Sequence, residues 1–87
     1  MKFKAVLSLL EQTGKDFSTW VDTEAQEIDV EGILLSSRKW SSGEKLLVDL
    51  ALSLFSPSHA VNLNQVFNTL DTENTQQVIR ILQEYCN

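Results

Sequence analysis

Chemistry-bearing residues are scarce in this sequence. Its 87 residues include one cysteine, one histidine, one proline and three glycines. The cysteine, Cys86, is next to last, so no intramolecular disulfide forms. That excludes a small secreted domain held by cross-links and points to a reducing compartment. One histidine and one distant cysteine fall short of the three or four ligands that a zinc site requires. The glycines, at 14, 32 and 43, make no phosphate-cradling loop, and nothing matches G-x-x-x-x-G-K-[ST]. Basic residues are also few: seven Lys and Arg against twelve Asp and Glu, a net charge of −5. Nucleic acids and anionic lipids are gripped by basic faces, so neither is expected as a direct partner. An acidic chain suits free solution or docking on a basic partner.

Long apolar runs are missing too. A membrane span takes about 20 apolar residues. The longest candidate, Leu46–Phe55, is half that length and contains Asp49. Lys2 and Lys4 precede Ala5-Val6-Leu7-Ser8-Leu9-Leu10 in the manner of a secretion signal. The apolar stretch is too short, Glu11 interrupts it, and no small-x-small cleavage site follows. The expected location is the cytoplasm, away from membranes.

What is present is an ordinary globular composition, 43% apolar and 22% charged. Residues 1–87 read as a single domain without a linker. Phe3, Val6, Leu7 and Leu10 fall on one helical face, and Gly14 suits the position just past its end, giving a helix over about 3–13. Residues 15–28 hold Phe17, Trp20 and Val21 in a polar stretch that suits an irregular loop, a short helical turn or a short strand; loop or turn is favoured, with the aromatics pinned to the core. Asp29 is placed to cap a short helix reaching about Arg38, with Ile28 stapling onto Ile33. Gly32 inside that helix costs about 1 kcal/mol relative to alanine.

Ser41 and Glu44 have the S-x-x-E spacing of a capping box. The helix that follows, over about 42–55, confines its polar residues Ser42, Lys45, Asp49 and Ser53 to a narrow stripe. Such a helix is buried on most of its circumference and forms the central strut. Pro57 follows its end. Asn62 caps a fourth helix with Leu63, Val66, Phe67 and Leu70 inward. Asp71 or Thr72 caps a fifth, with Val78, Ile79, Leu82 and Tyr85 buried and Ile81 beside them. No alternating strand pattern or Asn-Gly hairpin is visible. The expected fold is all-α, a compact bundle of four to five short helices around the central apolar helix.

No catalytic constellation emerges. A nucleophile requires a base oriented by a third group, and His59 sits alone in a proline-containing loop. Glu27 with Asp29, or Asp22 with Glu24, read as solvated surface rather than general acid and base. The chain is expected to be non-catalytic and to hold no cofactor or metal.

Trp40-Ser41-Ser42-Gly43-Glu44 resembles the signature turn of ABC-type ATPases, including the structural-maintenance and double-strand-break-repair branch. In that family an L-S-G-G-[QE] turn opens a helix whose amides bind the γ-phosphate of a nucleotide held by the opposite subunit. The similarity runs without gaps over roughly residues 40–85. Leu70-Asp71 falls at the family's D-loop, and Asn64-Gln65 falls at its Walker B acidic pair. The resemblance implies a small protein that mimics or blocks part of such an ATPase. It does not extend to hydrolysis. Amides replace the metal-holding and water-activating acids, no Walker A exists, and Ala60–Gln65 is not the apolar run of a buried strand.

The remaining signal is one-signed charge. From Asp16 through Ser37 there are six acids (Asp16, Asp22, Glu24, Glu27, Asp29 and Glu31) and no base. Trp20 and Trp40 bracket most of that segment, and tryptophan is common at binding hot spots. The sequence therefore points to a small acidic protein that binds another protein as inhibitor, adaptor or regulatory subunit. Its contact residues are Trp20, Asp22, Glu24, Glu27, Asp29, Glu31 and Trp40, and its partner is basic and groove-bearing. Phage, plasmid and toxin–antitoxin settings suit such a domain. A nucleic-acid mimic filling a DNA- or RNA-binding cleft is the alternative, along with a homo-oligomeric structural protein. Exposed Leu9, Leu35 or Ile81 would be the trace of a homodimer seam. The sequence leaves dimer seam and hetero-partner groove equally open.

Overall fold

The computed structural model describes residues 3–86. Its elements run α1 (Phe3–Glu11), β1 (Val21–Asp22), β2 (Glu27–Ile28), α2 (Val30–Ser36), a single 3-10 turn (Ser37–Lys39), α3 (Ser42–Phe55), α4 (Leu63–Thr69) and α5 (Thr72–Cys86). The all-α expectation holds, with one small two-stranded hairpin added. None of these helices is long and apolar enough to cross a membrane.

Helix α3 is the strut. Leu46, Leu47, Val48, Leu50, Ala51 and Leu52 are buried along it, and both α1 and α4 pack against it. Its start is fixed by a complete capping box. The Glu44 N–H donates to Ser41 Oγ at 3.2 Å, and the Ser41 N–H donates to Glu44 Oε1 at 3.0 Å. These bonds satisfy donors that a helix start otherwise leaves open. In the turn that resembles an ATPase signature, the Ser41 and Glu44 amides are thus bonded within the chain. Residues 60–65 run into α4 instead of forming a buried strand.

The capping carboxylate has a consequence for pH dependence. Glu44 is held below its ordinary value of 4.5, first by the Ser41 backbone hydrogen bond, then by the Ser41 side chain, with Lys15 helping. A carboxyl with a lower pKa folded than unfolded stabilises the fold above its unfolded value. That contribution is lost as pH falls through the folded value. Glu44→Gln keeps an acceptor but does not titrate. Its urea midpoint should therefore fall less than the wild type's as pH is lowered below 4.5. Parallel curves for the two proteins would show that the Glu44 carboxylate is not stabilised by its cap.

Helix α1 ends at Glu11, two residues short of the expected 13, and Gly14 takes the left-handed conformation at φ 78°. Its buried arc is wider than one face. Leu9, expected as an exposed seam residue, is fully buried, because α3 and α5 both pack on α1. The Gln12 amide joins α1 to α5 by donating to the Asn74 carbonyl and side-chain oxygens, each at 2.9 Å.

The last two helices are shallower than expected. Asn62 caps α4 and Asp71 caps α5 through their side-chain oxygens. On α4 only Val66 is buried, while Leu63 and Phe67, expected inward, are exposed. On α5 Val78 is buried, Ile81 and Leu82 pack on the core, and Ile79 faces solvent. Each helix lies at the edge of the bundle and offers it only a narrow stripe.

Candidate functional site

The least legible stretch, residues 15–28, folds into an aromatic anchor and a hairpin. Phe17 is buried and meets both tryptophans edge to face. Its ring centroid lies 6.0 Å from Trp20 and 5.7 Å from Trp40. Both indoles are half-buried against the core. Lys15 Nζ sits 5.4 Å from the Trp40 ring centroid and 3.7 Å from Glu44 Oε2. Trp40 thus has its own cation from within the chain.

The hairpin follows directly. Val21 pairs with Ile28 and Asp22 with Glu27, antiparallel. The Asp29 N–H donates to the Trp20 carbonyl at 2.8 Å, and the Ala25 N–H donates to Asp22 Oδ1 at 3.1 Å. Gln26 turns the chain at φ 55°, a left-handed backbone that glycine or asparagine adopts more readily. Most of residues 15–28 is turn or loop with its aromatics on the core, as favoured, and the short-strand alternative is realised at Val21–Asp22 and Glu27–Ile28. Two-residue strands are too short to show alternation, and the turn has none of the usual asparagine–glycine chemistry.

Asp29 then caps α2 as expected, accepting from the Gly32 N–H at 3.1 Å. Gly32 is the reason α2 can lie where it does. A Cβ there would sit 2.6 Å from Trp20 Cδ1 and 2.6 Å from Asp29 Oδ2. The indole lies directly over this glycine.

The result is a concavity of about 320 Å³ lined by Thr19, Trp20, Val21, Asp22, Glu27, Ile28 and Asp29. It gathers four of the seven sequence-selected contact residues: Trp20, Asp22, Glu27 and Asp29. Glu24 in the turn and Glu31 on α2 are exposed nearby in sequence but do not line it. Trp40 lies outside, beneath Lys15. Lys15 pairs with Glu44 and His59 with Asp49, and no cation among the described residues is paired with Asp22, Glu27 or Asp29. Asp22 and Glu27 face each other directly across the ribbon, an arrangement that costs stability when nothing positive lies between them.

No protein-family model, curated protein or solved structure matches this chain.

Other parts of the molecule offer less chemistry. His59 Nε2 lies 3.2 Å from Asp49 Oδ1, joining the loop after α3 back to that helix. The nearby Ser56 and Ser58 hydroxyls bond each other at 3.0 Å. No group of three or more His, Cys, Asp or Glu among the described residues is arranged to hold a metal ion. Leu35, which the sequence offers as a trace of a homodimer seam, is 60% exposed on α2. It follows Glu31 by four positions, so it shares a helix face with that acid.

Proposed function

We propose that this chain is a non-catalytic docking protein that seats a lysine or arginine side chain of a partner protein between Trp20 and the hairpin acids. The observation that carries this reading is the direct opposition of Asp22 and Glu27 with no cation among the described residues paired to either. A partner's ammonium or guanidinium placed there relieves the repulsion and gains charge-assisted hydrogen bonds. The indole wall adds a cation–π surface. Glu24 and Glu31 then act as a rim that steers a basic partner inward, a role that governs association rate more than final affinity. Leu35 supplies an apolar contact beside that rim. Inhibitor, adaptor and regulatory subunit are all forms of this one activity.

Nucleic-acid mimicry requires negative charge spread along a face at phosphate spacing. Arg38 and Lys39, both exposed in the 3-10 turn that continues α2, interrupt the acidic surface soon after Glu31. A bounded patch favours docking over mimicry.

The test uses the double reversal Glu24→Lys with Glu27→Lys. Tagged wild-type chain first captures its stoichiometric partner from lysate at low salt, and affinities are then measured with the purified pair. The expected result is a loss of about 10-fold or more for the reversal, with the fold intact. The lysine introduced by Glu27→Lys faces Asp22 across the ribbon, so the variant's hairpin gains an opposite-charge pair. A circular dichroism spectrum matching the wild type's then separates weakened binding from unfolding. Equal affinity for wild type and reversal at low salt would sink the proposal.

A further inference from the structure

From Leu50 through Leu70 the chain carries no Asp, Glu, Lys or Arg, although the protein as a whole has nineteen such residues, twelve acidic and seven basic. The single titratable group in that stretch, His59, turns back onto Asp49. Helix α4 lies within it, and its outer surface is not finished like the rest of the molecule. Leu63 is 48% exposed and Phe67 is 37% exposed, one helical turn apart on the same flank. Asn64 and Asn68 are exposed beside them. Gln65 and Thr69 lie on the opposite flank, where they share a pocket with Lys45 and Asp49 of α3. The nearest described charges of α3 are therefore turned away from the apolar pair.

We propose that this face of α4 is a self-association surface and that its occupant is a second copy of the same chain. Two-fold symmetry brings side chains near the axis against their own twins. In a chain of net charge −5, most surfaces would meet their copies with like charges opposed. The α4 face does not. Its apolar residues bury one another, and its asparagines are self-complementary, since each amide carries both a donor and an acceptor. A charged partner of the kind argued for the hairpin has nothing to pair with here. The face is also small. Seven helical residues span about 10 Å, so the contact falls below the standard interface of roughly 800 Å² per partner. The association is accordingly weak and reversible, and it follows protein concentration. It is independent of the hairpin site, so either proposal stands if the other fails.

Sedimentation equilibrium on the full chain, up to about 1 mM, reads this directly, since that limit reaches the weak end of specific association. Wild type should shift from monomer to dimer across the range. Leu63→Glu should hold the protein monomeric, with an unchanged circular dichroism spectrum showing that the fold is kept. Asn68→Asp is a second variant of nearly equal shape at an exposed position. It should weaken the dimer at low salt, and about 1 M salt should recover it by screening. A wild type that stays monomeric throughout would overturn the proposal and leave the face to a different occupant. So would a dimer unaffected by both variants, or one abolished by the hairpin reversal instead.

Discussion

Phe17→Ala should destabilise the fold by about 3–5 kcal/mol, the usual cost of emptying a buried phenylalanine site. A chain of this length has only about 4–13 kcal/mol in total, so the variant approaches the unfolding threshold. Phe17 is 7% exposed and is the ring on which both tryptophans rest. Each edge-to-face contact is worth about 0.5–1.5 kcal/mol beyond simple burial, and the substitution removes both. Trp20 and Trp40 emission should move together toward longer wavelength as their shared support goes. Phe17→Leu, which keeps most of the volume, should cost much less. An unfolding free energy from urea titration of Phe17→Ala within about 1 kcal/mol of wild type would show that this stretch is held by something other than the aromatic trio.

Gly32→Ala should also destabilise, against the direction that helix propensity alone predicts. Alanine in a helix interior is favoured over glycine by about 1 kcal/mol. Here the new methyl would lie 2.6 Å from the Trp20 ring and 2.6 Å from the Asp29 carboxylate that caps α2. Neither neighbour moves freely. The indole packs on Phe17, and the carboxylate accepts from the Gly32 N–H itself. Overpacking costs about 1–3 kcal/mol and a lost cap about 1 kcal/mol. Together they exceed the propensity gain, leaving a net loss of about 1–3 kcal/mol. For a domain of this size that is a fall in Tm of roughly 5–15 °C. Because Trp20, the residue that must shift, also lines the concavity, affinity for the proposed partner should fall with it. A rise in Tm would mean that Trp20 does not lie over α2.

How much of this was legible in the sequence follows from how local each signal is. The capping box at Ser41 and Glu44, the Asp29 and Asn62 caps and the helical spacing of α1 and α3 are written within a few residues, and they appear as expected. Burial on α4 and α5 was misjudged because periodicity shows which face is apolar but not how much of it a neighbour covers. Leu63, Phe67 and Ile79 have helical spacing suited to packing and still lie open. Leu9 failed in the other direction, since α3 and α5 both pack on α1. The hairpin was missed for a physical reason as well. It is held by the Trp20 carbonyl, the Asp22 side chain and the packing of Val21 and Ile28 rather than by turn residues. The acidic segment itself was plain, but the grouping of Trp20 with Asp22, Glu27 and Asp29 depends on a register that no spacing rule supplies.

That hairpin is a slight structure for the docking site proposed on it. Only two residue pairs join its strands, and a glutamine sits in its least comfortable backbone position. A ribbon so small is marginal on its own, and its amides are expected to exchange with solvent faster than those of the central helix, a difference that hydrogen exchange reads directly. A partner that grips the ribbon must hold it closed, and the ordering entropy is drawn from the contact energy. Affinity is thereby tied to the stiffness of the turn from Thr23 to Gln26, a segment that does not line the concavity.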